Sequence, residues 1–359
     1  MTAGDRFAAA DIERFVAAAF MALGVPEADA ATAAGLMVEA DLTGYDTHGT
    51  FRLRQYVDRL RGGGTKARAN VRIAEDRGAT AIVDGDNGLG HLAMRFAARL
   101  AIDKAETNGI GWVGVRNGNH AGPASLYVRM PVEHDMIGLY GAVGSANHVP
   151  PFGGTELLLG TNPLAIAVPA GVSPPFVLDM ATTVAAVGKI KTLAQRGEKM
   201  PEGWMVGRDG KPLTDPARRE EGLLLPIGGP KGYGLAMALG LLAGTLNGAA
   251  FGRDVVDFTN DTVSPTNTGQ FIVAISVAAF ADVAAFKANV DAVFSAMRES
   301  EPLPDHDAVR IPGDRHEAIH KDRAARGIPL HPNLLNALSE IATELAIDDL
   351  ARSEAEPLT

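Results

Sequence analysis

Hydrophobic and polar positions change period several times along the chain, and each change marks a predicted element. Ile12, Phe15, Val16, Phe20 and Leu23 recur at helical spacing behind Asp11, which predicts a helix capped by that carboxylate and stopped by Gly24. Pro26 opens a second helix through Leu36, Met37 and Val38, and a third amphipathic segment carries Leu53, Tyr56, Val57 and Leu60 on one face. Gly62-Gly63-Gly64 is a joint. Beyond it the pattern turns to short strands, Val71-Arg72-Ile73 and 79–83, around the turn residues Asp76-Arg77-Gly78. A glycine-rich turn at 85–90 leads into a helix with Leu92, Phe96, Leu100 and Ala101 on one face, ended by Gly109. A strand from Ile110 to Val115, a helix from Ser125 to His134 interrupted at Pro131, and a strand from Ile137 to Val143 follow. Alternation at these lengths predicts an α/β sheet covered by helices.

Two apolar runs, 157–169 and 174–183, read as strands ending in small polar residues, where α/β sheets place their chemistry. Asp209-Gly210 is a hairpin turn signal, and the charged run 215–221 reads as a solvated loop. From Gly232 to Gly252 there are 21 residues without a charge. Their glycine and alanine content, with Asn247, predicts a buried helix rather than a membrane span. A strand at 270–280 and a helix from Val283 to Met297 come next. The amphipathic run Leu334, Leu335, Leu338, Ile341 and Leu345 can pack back on the N-terminal helices. The expected division is a helical part at 1–66, an α/β region at 67–304 and a C-terminal segment at 305–359, with no internal repeat.

With 359 residues, 46% hydrophobic and 21% charged, the composition is that of a soluble globular protein. A formal net charge of -10 argues against nucleic acid as a partner and leaves local basic groups, such as Arg52, Arg54, Arg59 and Arg61, for small anions. The lack of cysteine removes disulfides, thiolate catalysis and thiolate-bound zinc together. Asp5, Arg6, Asp11, Glu13 and Arg14 interrupt the apolar core that a signal peptide would need, so a cytoplasmic setting without a membrane partner is expected.

Candidate chemistry gathers between Asp41 and Leu60. Thr47, His48 and Arg52 fall together at a helix entrance, with Arg52 about one turn beyond the imidazole. That set suits a hydroxy or keto acid: Arg52 takes the carboxylate bidentately and His48 moves a proton. Taken alone, a histidine at a helix start is more often a cap or a surface residue. Asp179 directly follows Phe176-Val177-Leu178, and a carboxylate there needs an imidazolium, a backbone amide or a helix start as partner. The plainer alternative is a cap on a helix beginning near Thr182. Glycines from 228 to 234 around Lys231 make an anion seat at a helix start. There is no Walker triplet and no G-x-G-x-x-G after a strand, so an ordinary Rossmann domain is not supported. His316-Glu317-x-x-His320 satisfies the zinc-hydrolase pattern, with Glu340 in place for a third ligand. Its neighbours Asp314, Arg315, Lys321, Asp322, Arg323 and Arg326 predict instead a charged surface helix or loop without metal.

Several stretches together resemble one family. DTHGTFRL (46–53) is similar to the D-S-H-G-x-x-R-L segment of the malate/L-lactate dehydrogenase family, also called sulfolactate dehydrogenase-like oxidoreductases. The likeness continues through VRNGNHAG (115–122), PFGGTELLLGTNPLAIAVP (151–169), LDMATT (178–183), GKI (188–190), GGPKGYGL (228–235) and RGIPL (326–330), essentially the whole chain in order. The resemblance implies a homodimer with a non-Rossmann, mixed-sheet NAD(P)-binding domain and a helical part formed from both termini. It implies hydride transfer between the nicotinamide of NAD or NADP and C2 of a small 2-hydroxy or 2-oxo acid; some relatives reduce cyclic imino acids instead. By position, His48 resembles the proton donor and acceptor, and Asp179 its charge partner, which would raise the imidazole pKa and hold the ring. Thr47 stands where serine is usual, and Arg52 resembles the carboxylate anchor. Cofactor contacts implied in the same way are His120, Thr161 and Asn162 near the nicotinamide; the strand end Pro175, Phe176, Val177, Leu178, Met180 and Ala181; and Pro230, Lys231, Gly313, Asp314 and Arg315. The chain departs from the pattern at Asn147–Phe152, Pro131 and Asp314, where glutamate is usual; the first bears on substrate identity. A non-catalytic binder of the same fold would show saturable binding without turnover.

Overall fold

The chain opens with a two-residue strand, β1 (Arg6–Phe7), and three helices, α1 (Ala9–Ala22), α2 (Glu27–Leu42) and α3 (Leu53–Gly62), in the computed structural model, which describes residues 5–350. Each helix ends near a left-handed glycine, Gly24 (φ 85°), Gly44 (φ 82°) and Gly63 (φ 84°), where a side chain would be strained. Asp11 lies inside the first turn of α1 rather than at its cap, which is Ala8. Its charge still faces the positive end of the helix dipole. Between α2 and α3 the turn is tied across its base: the buried Asp41 carboxylate accepts from Thr50 N at 2.8 Å and from the Thr50 hydroxyl.

The middle of the chain runs β2 (Arg72–Arg77), β3 (Thr80–Asp84), α4 (Gly90–Asn108), β4 (Ile110–Gly118), α5 (Ser125–Val132), β5 (Met136–Ala142), β6 (Leu164–Val168) and β7 (Phe176–Met180). Then come α6 (Val187–Arg196), β8 (Met205–Gly207), β9 (Gly222–Leu224), α7 (Pro230–Ala243), β10 (Thr268–Ser276) and α8 (Val283–Arg298). A seven-stranded sheet forms in the order β2-β3-β4-β10-β5-β6-β7. Strands β3 and β4 are parallel, joined through α4, and the other neighbouring pairs are antiparallel. Strand β10 arrives late in sequence yet sits at the centre, which is why its first seven residues are all buried. Val83, Ala97, Val113, Tyr127 and Ile272 pack one face of the sheet under α4 and α5, while Leu239 and Ala243 of α7 meet Val143, Phe271 and Val273 on the other. The edge strand β2 is exposed throughout and carries Arg72, Glu75, Asp76 and Arg77, charges that discourage pairing with another chain.

After α8 come α9 (Asp314–Arg326), β11 (Ile328–Pro329) and α10 (Pro332–Leu345). β11 pairs antiparallel with β1, and Phe7, Ile12, Phe20, Met37, Tyr56, Ile328, Leu338 and Ile341 share one apolar cluster. Residues 1–4 and 351–359, at the outer ends of the two predicted terminal segments, lie outside the described residues.

Four expectations are corrected. The helix predicted to His134 ends at Val132, beside Pro131. The run 157–163 is irregular, because Gly160 packs against the Gly144 backbone and Pro163 has no amide to donate; the strand is limited to β6. The predicted loop 215–221 is a 3-10 helix whose start Asp215 caps at Ala217 N. The uncharged helix stops at Ala243 and is buried on one face only: Ala236, Leu239 and Gly240 point inward, while Met237, Leu241 and Leu242 are exposed. No helix among the described residues is long and apolar enough to cross a membrane.

Candidate active site

The turn between α2 and α3 brings Thr47, His48 and Arg52 together as their spacing predicts. Thr47 Oγ1 lies 2.9 Å from His48 Nδ1, and Arg52 Nε donates to the Thr47 carbonyl at 2.9 Å. Arg52 also donates to Gln55 Oε1 at 2.6 Å, and among the described residues it has no carboxylate partner. A half-buried guanidinium without a counter-charge is costly to keep, and an anionic ligand relieves it. Across the turn, the His48 ring stacks on His120 with centroids 5.6 Å apart. His120 Nδ1 is 2.6 Å from Tyr56 Oη, and Tyr56 meets His91 and Phe258 edge-on. His91 is 0% exposed and neither of its ring nitrogens has a hydrogen-bond partner. Tyr56, His91 and Phe258 were not anticipated. Only Tyr56 left a local signal, one helical turn beyond Arg52.

Electrostatics correct one expectation. Burial, and then the charge of Arg52, push the His48 pKa down to about 4, where a carboxylate partner would have raised it. Asp179 does not supply that partner. Its Oδ2 accepts from Ser125 N at 2.8 Å, the first residue of α5, and the Ala124 amide and Ser125 side chain also favour its ionised form against a burial penalty that raises its pKa. The physical reason is proximity: a helix start has free amides, and α5 presents them directly to β7. Asp179 is thus a cap, though on α5; the residues after Thr182 are not helical until α6 begins at Val187. Burial also holds His120 well below its ordinary value and takes His91 to about 3, so all three imidazoles are neutral near neutral pH.

The expected cofactor residues are strung along β7. At its start, Val177 N donates to Pro312 O at 2.9 Å, and Gly313 (φ 108°) packs so closely that a Cβ there would sit 3.3 Å from Pro175 O and 3.2 Å from Val177 N. At its exit, Thr182 N donates to Thr161 O at 2.9 Å, and Ile227 N donates to Thr182 O at 2.9 Å, which carries Pro230 and Lys231 alongside at the start of α7. Gly188, in the first turn of α6, faces Thr47, so the exit of β7 meets the turn bearing His48. Lys231 and Arg315 make no ion pair among the described residues. Ala308, Val309, Arg310, Asp314, Arg315 and Ala318 line a cavity of about 600 Å³. Lys231 and Arg315 each stand in the first turn of a helix, where an anionic group is favoured. Two of the expected residues have no free side-chain group to offer. Asn162 is fully buried, accepting from Gly144 N and donating to Ala236 O, both at 2.8 Å. Asp314 accepts from Arg298 at 2.8 Å and from Ile311 N at 2.9 Å.

The zinc-hydrolase pattern is spent on other contacts. His316 Nδ1 donates to Thr43 O at 2.7 Å, His320 Nε2 faces Glu39 at 3.6 Å and Glu317 faces Arg129 at 3.8 Å. No group of three metal-ligating residues occurs among the described residues.

Comparison with known proteins adds sequence-wide likeness to this geometry. A family model described as malate/L-lactate dehydrogenase matches residues 7–339. An L-sulfolactate dehydrogenase of Methanocaldococcus jannaschii is 41% identical over 325 residues, 90% of this chain and 93% of that one. A solved structure of sulfolactate dehydrogenase from the same organism superposes with a TM-score of 0.89 at 38% identity, covering 96% of this chain and 98% of that chain. A malate dehydrogenase of Pyrococcus abyssi is 36% identical over 345 residues, 94% of each chain. A (2R)-3-sulfolactate dehydrogenase (NADP(+)) of Chromohalobacter salexigens is 32% identical over 314 residues, 87% of this chain and 91% of that one.

Proposed function

The chain belongs to the malate/L-lactate dehydrogenase family, and from that premise we propose that it is an NAD(P)-dependent dehydrogenase acting at C2 of a small anionic 2-hydroxy acid of the malate or sulfolactate kind. The observation that carries the site assignment is Arg52, a guanidinium beside His48 with no acid partner among the described residues. In oxidation, neutral His48 takes the hydroxyl proton of a substrate whose carboxylate rests on Arg52; in reduction the protonated ring returns it. Thr47 holds Nδ1, which leaves Nε2 to face the substrate oxygen. Seating a carboxylate on Arg52 cancels one of the two causes of the low His48 pKa, so substrate binding itself raises the affinity of the ring for a proton. The β7 strand end, Lys231 and Arg315 would hold NAD or NADP, which would supply or accept the hydride. Asp179 acts through α5 and the turn it supports, not on the imidazole directly.

We read 67–304 as the cofactor-binding region, of non-Rossmann type since the sheet has a single parallel pair, and the two terminal segments as one helical part; the apolar cluster shared by α1, α2, α3, β11 and α10 supports this division. The exposed Met237, Leu241, Leu242 and Leu246 on and just beyond α7 support a homodimer through that face. A panel of 2-oxo acids and cyclic imino acids with NADH and NADPH tests the reading. Turnover of an anionic 2-oxo acid is expected, with Arg52→Ala raising KM ~10–100-fold through loss of a charge-assisted pair. Reduction of cyclic imino acids alone, or no turnover of either class, would overturn it.

A further inference from the structure

Helix α9 contributes Arg315 to the cofactor seat proposed above, but its His-Glu-x-x-His pattern takes no part in that chemistry. Its start is fixed on the cofactor side, where Gly313 packs on the backbone of Pro175 and Val177. Its flank is fixed on the catalytic side. The carbonyl of Thr43 can only accept, so the Nδ1 of His316, 2.7 Å away, carries a proton and donates it. The same ring lies flat on Tyr45, with centroids 4.3 Å apart and planes 3° apart. One helical turn on, Ile319 fills the space over Gly44, and Arg323 holds the Asp41 carbonyl and the Asp46 carboxylate. Tyr45 also reaches the sheet, because its hydroxyl pairs with Ser125, whose amide donates to Asp179 on β7. Thr47 and His48 follow Tyr45 by two and three residues.

We propose that His316 and Tyr45 form a positioning pair: their stack fixes the 45–48 turn to α9, so that occupation of the dinucleotide seat at 312–315 sets the imidazole of His48 in place. The turn responds as one piece because Asp41 and Thr50 close its base. A flat ring stack and a backbone hydrogen bond on the same imidazole remove both rotation and translation of Tyr45 relative to the helix. The catalytic half of this inference rests on the dehydrogenase reading; the coupling between the two segments does not.

Hydrogen–deuterium exchange on the wild-type protein, with and without saturating NADH or NADPH, reads the coupling without turnover. Cofactor is expected to slow exchange in peptides covering 312–318 and in those covering 41–50. Protection at 312–318 that leaves 41–50 unchanged overturns the proposal, and failure of both cofactors to bind overturns it together with the dehydrogenase reading. Kinetics then separate positioning from plain packing. His316→Ala is expected to lower kcat ~10–100-fold, the cost of misplacing a reacting group by about 1 Å, while the KM for cofactor stays within ~3-fold. His316→Phe keeps the stacking surface and is expected to restore most of kcat and the protection of 41–50. Wild-type kcat in His316→Ala, or equal loss in both variants, contradicts the proposal. Cofactor-dependent protection of 41–50 in a protein that turns over no 2-oxo acid would sink the dehydrogenase reading and leave the coupling standing.

Discussion

Arg52 holds a guanidinium partly out of water with, among the described residues, only a carbonyl and an amide oxygen as acceptors, and His48 feels that charge directly. With His48 as the proposed base, oxidation of the hydroxy acid needs the neutral ring, which a pKa of about 4 preserves far below the ordinary 6.5. The expected acid limb of kcat/KM for oxidation therefore lies near pH 4, and a limb near 6.5 in the pH profile would show that the free enzyme lacks this depression. NMR titration of His48 with and without an unreactive dicarboxylate should show its pKa rising when the ligand binds, and no change in Arg52→Ala. At the base of the same turn, a Cβ on Gly49 would run into the Asp41 carboxylate. Gly49→Ala should cost about 1–3 kcal/mol in urea denaturation, the usual price of overpacking. Thr47, His48 and Arg52 were readable because local spacing alone brings them together. The partner of Asp179 was not: the amide that satisfies it lies 54 residues away in sequence, and nothing in either segment names the other.

Helix α7 shows where periodicity stops being informative. Twenty-one uncharged residues look the same whether they face a core or a second chain, and the sequence pattern predicted burial on all sides. Only the inner face packs, with Gly240 admitting the Phe251 ring, while Leu241 is 45% and Leu246 is 62% exposed. If that face joins two copies, Leu241→Glu should shift the sedimentation coefficient from dimer to monomer while leaving the circular dichroism of the chain unchanged. A wild-type monomer, or an undisturbed dimer in the variant, would assign the face elsewhere. α9 taught the reverse lesson. Its charges predicted a surface helix or loop, and the segment is a helix without fully buried residues, but its two histidines gained meaning only from α2 and the following turn, which lie more than 270 residues earlier.

Across the molecule as a whole, the alternation of strands and helices gave the α/β class, whereas the position of β10 between β4 and β5 could not be read from any local pattern. The fold also sets a pH response. His48, His91 and His120 titrate lower in the native state than in the unfolded chain, so below about pH 6.5 the unfolded chain binds protons that the native state refuses. Stability should fall as pH drops from 6.5 toward 4, by at most ~4 kcal/mol per pH unit for three such groups. Asp41 has the opposite sign: burial raises its pKa to about 7, so its contribution is present below about 4 and is lost as pH rises through 7. Urea denaturation at several pH values should show a shallower acid limb in His91→Leu and a shallower alkaline decline in Asp41→Asn. The claim on which the functional account turns is that His48, rather than the ring stacked on it, exchanges the proton with substrate oxygen. The direct measurement is the rate of NAD(P)H oxidation by a turned-over 2-oxo acid in His48→Ala and His120→Ala, with cofactor binding followed by fluorescence. A loss of ~10²–10⁴-fold in His48→Ala with cofactor affinity retained is expected; near-normal turnover in His48→Ala, with activity abolished in His120→Ala, would contradict the account.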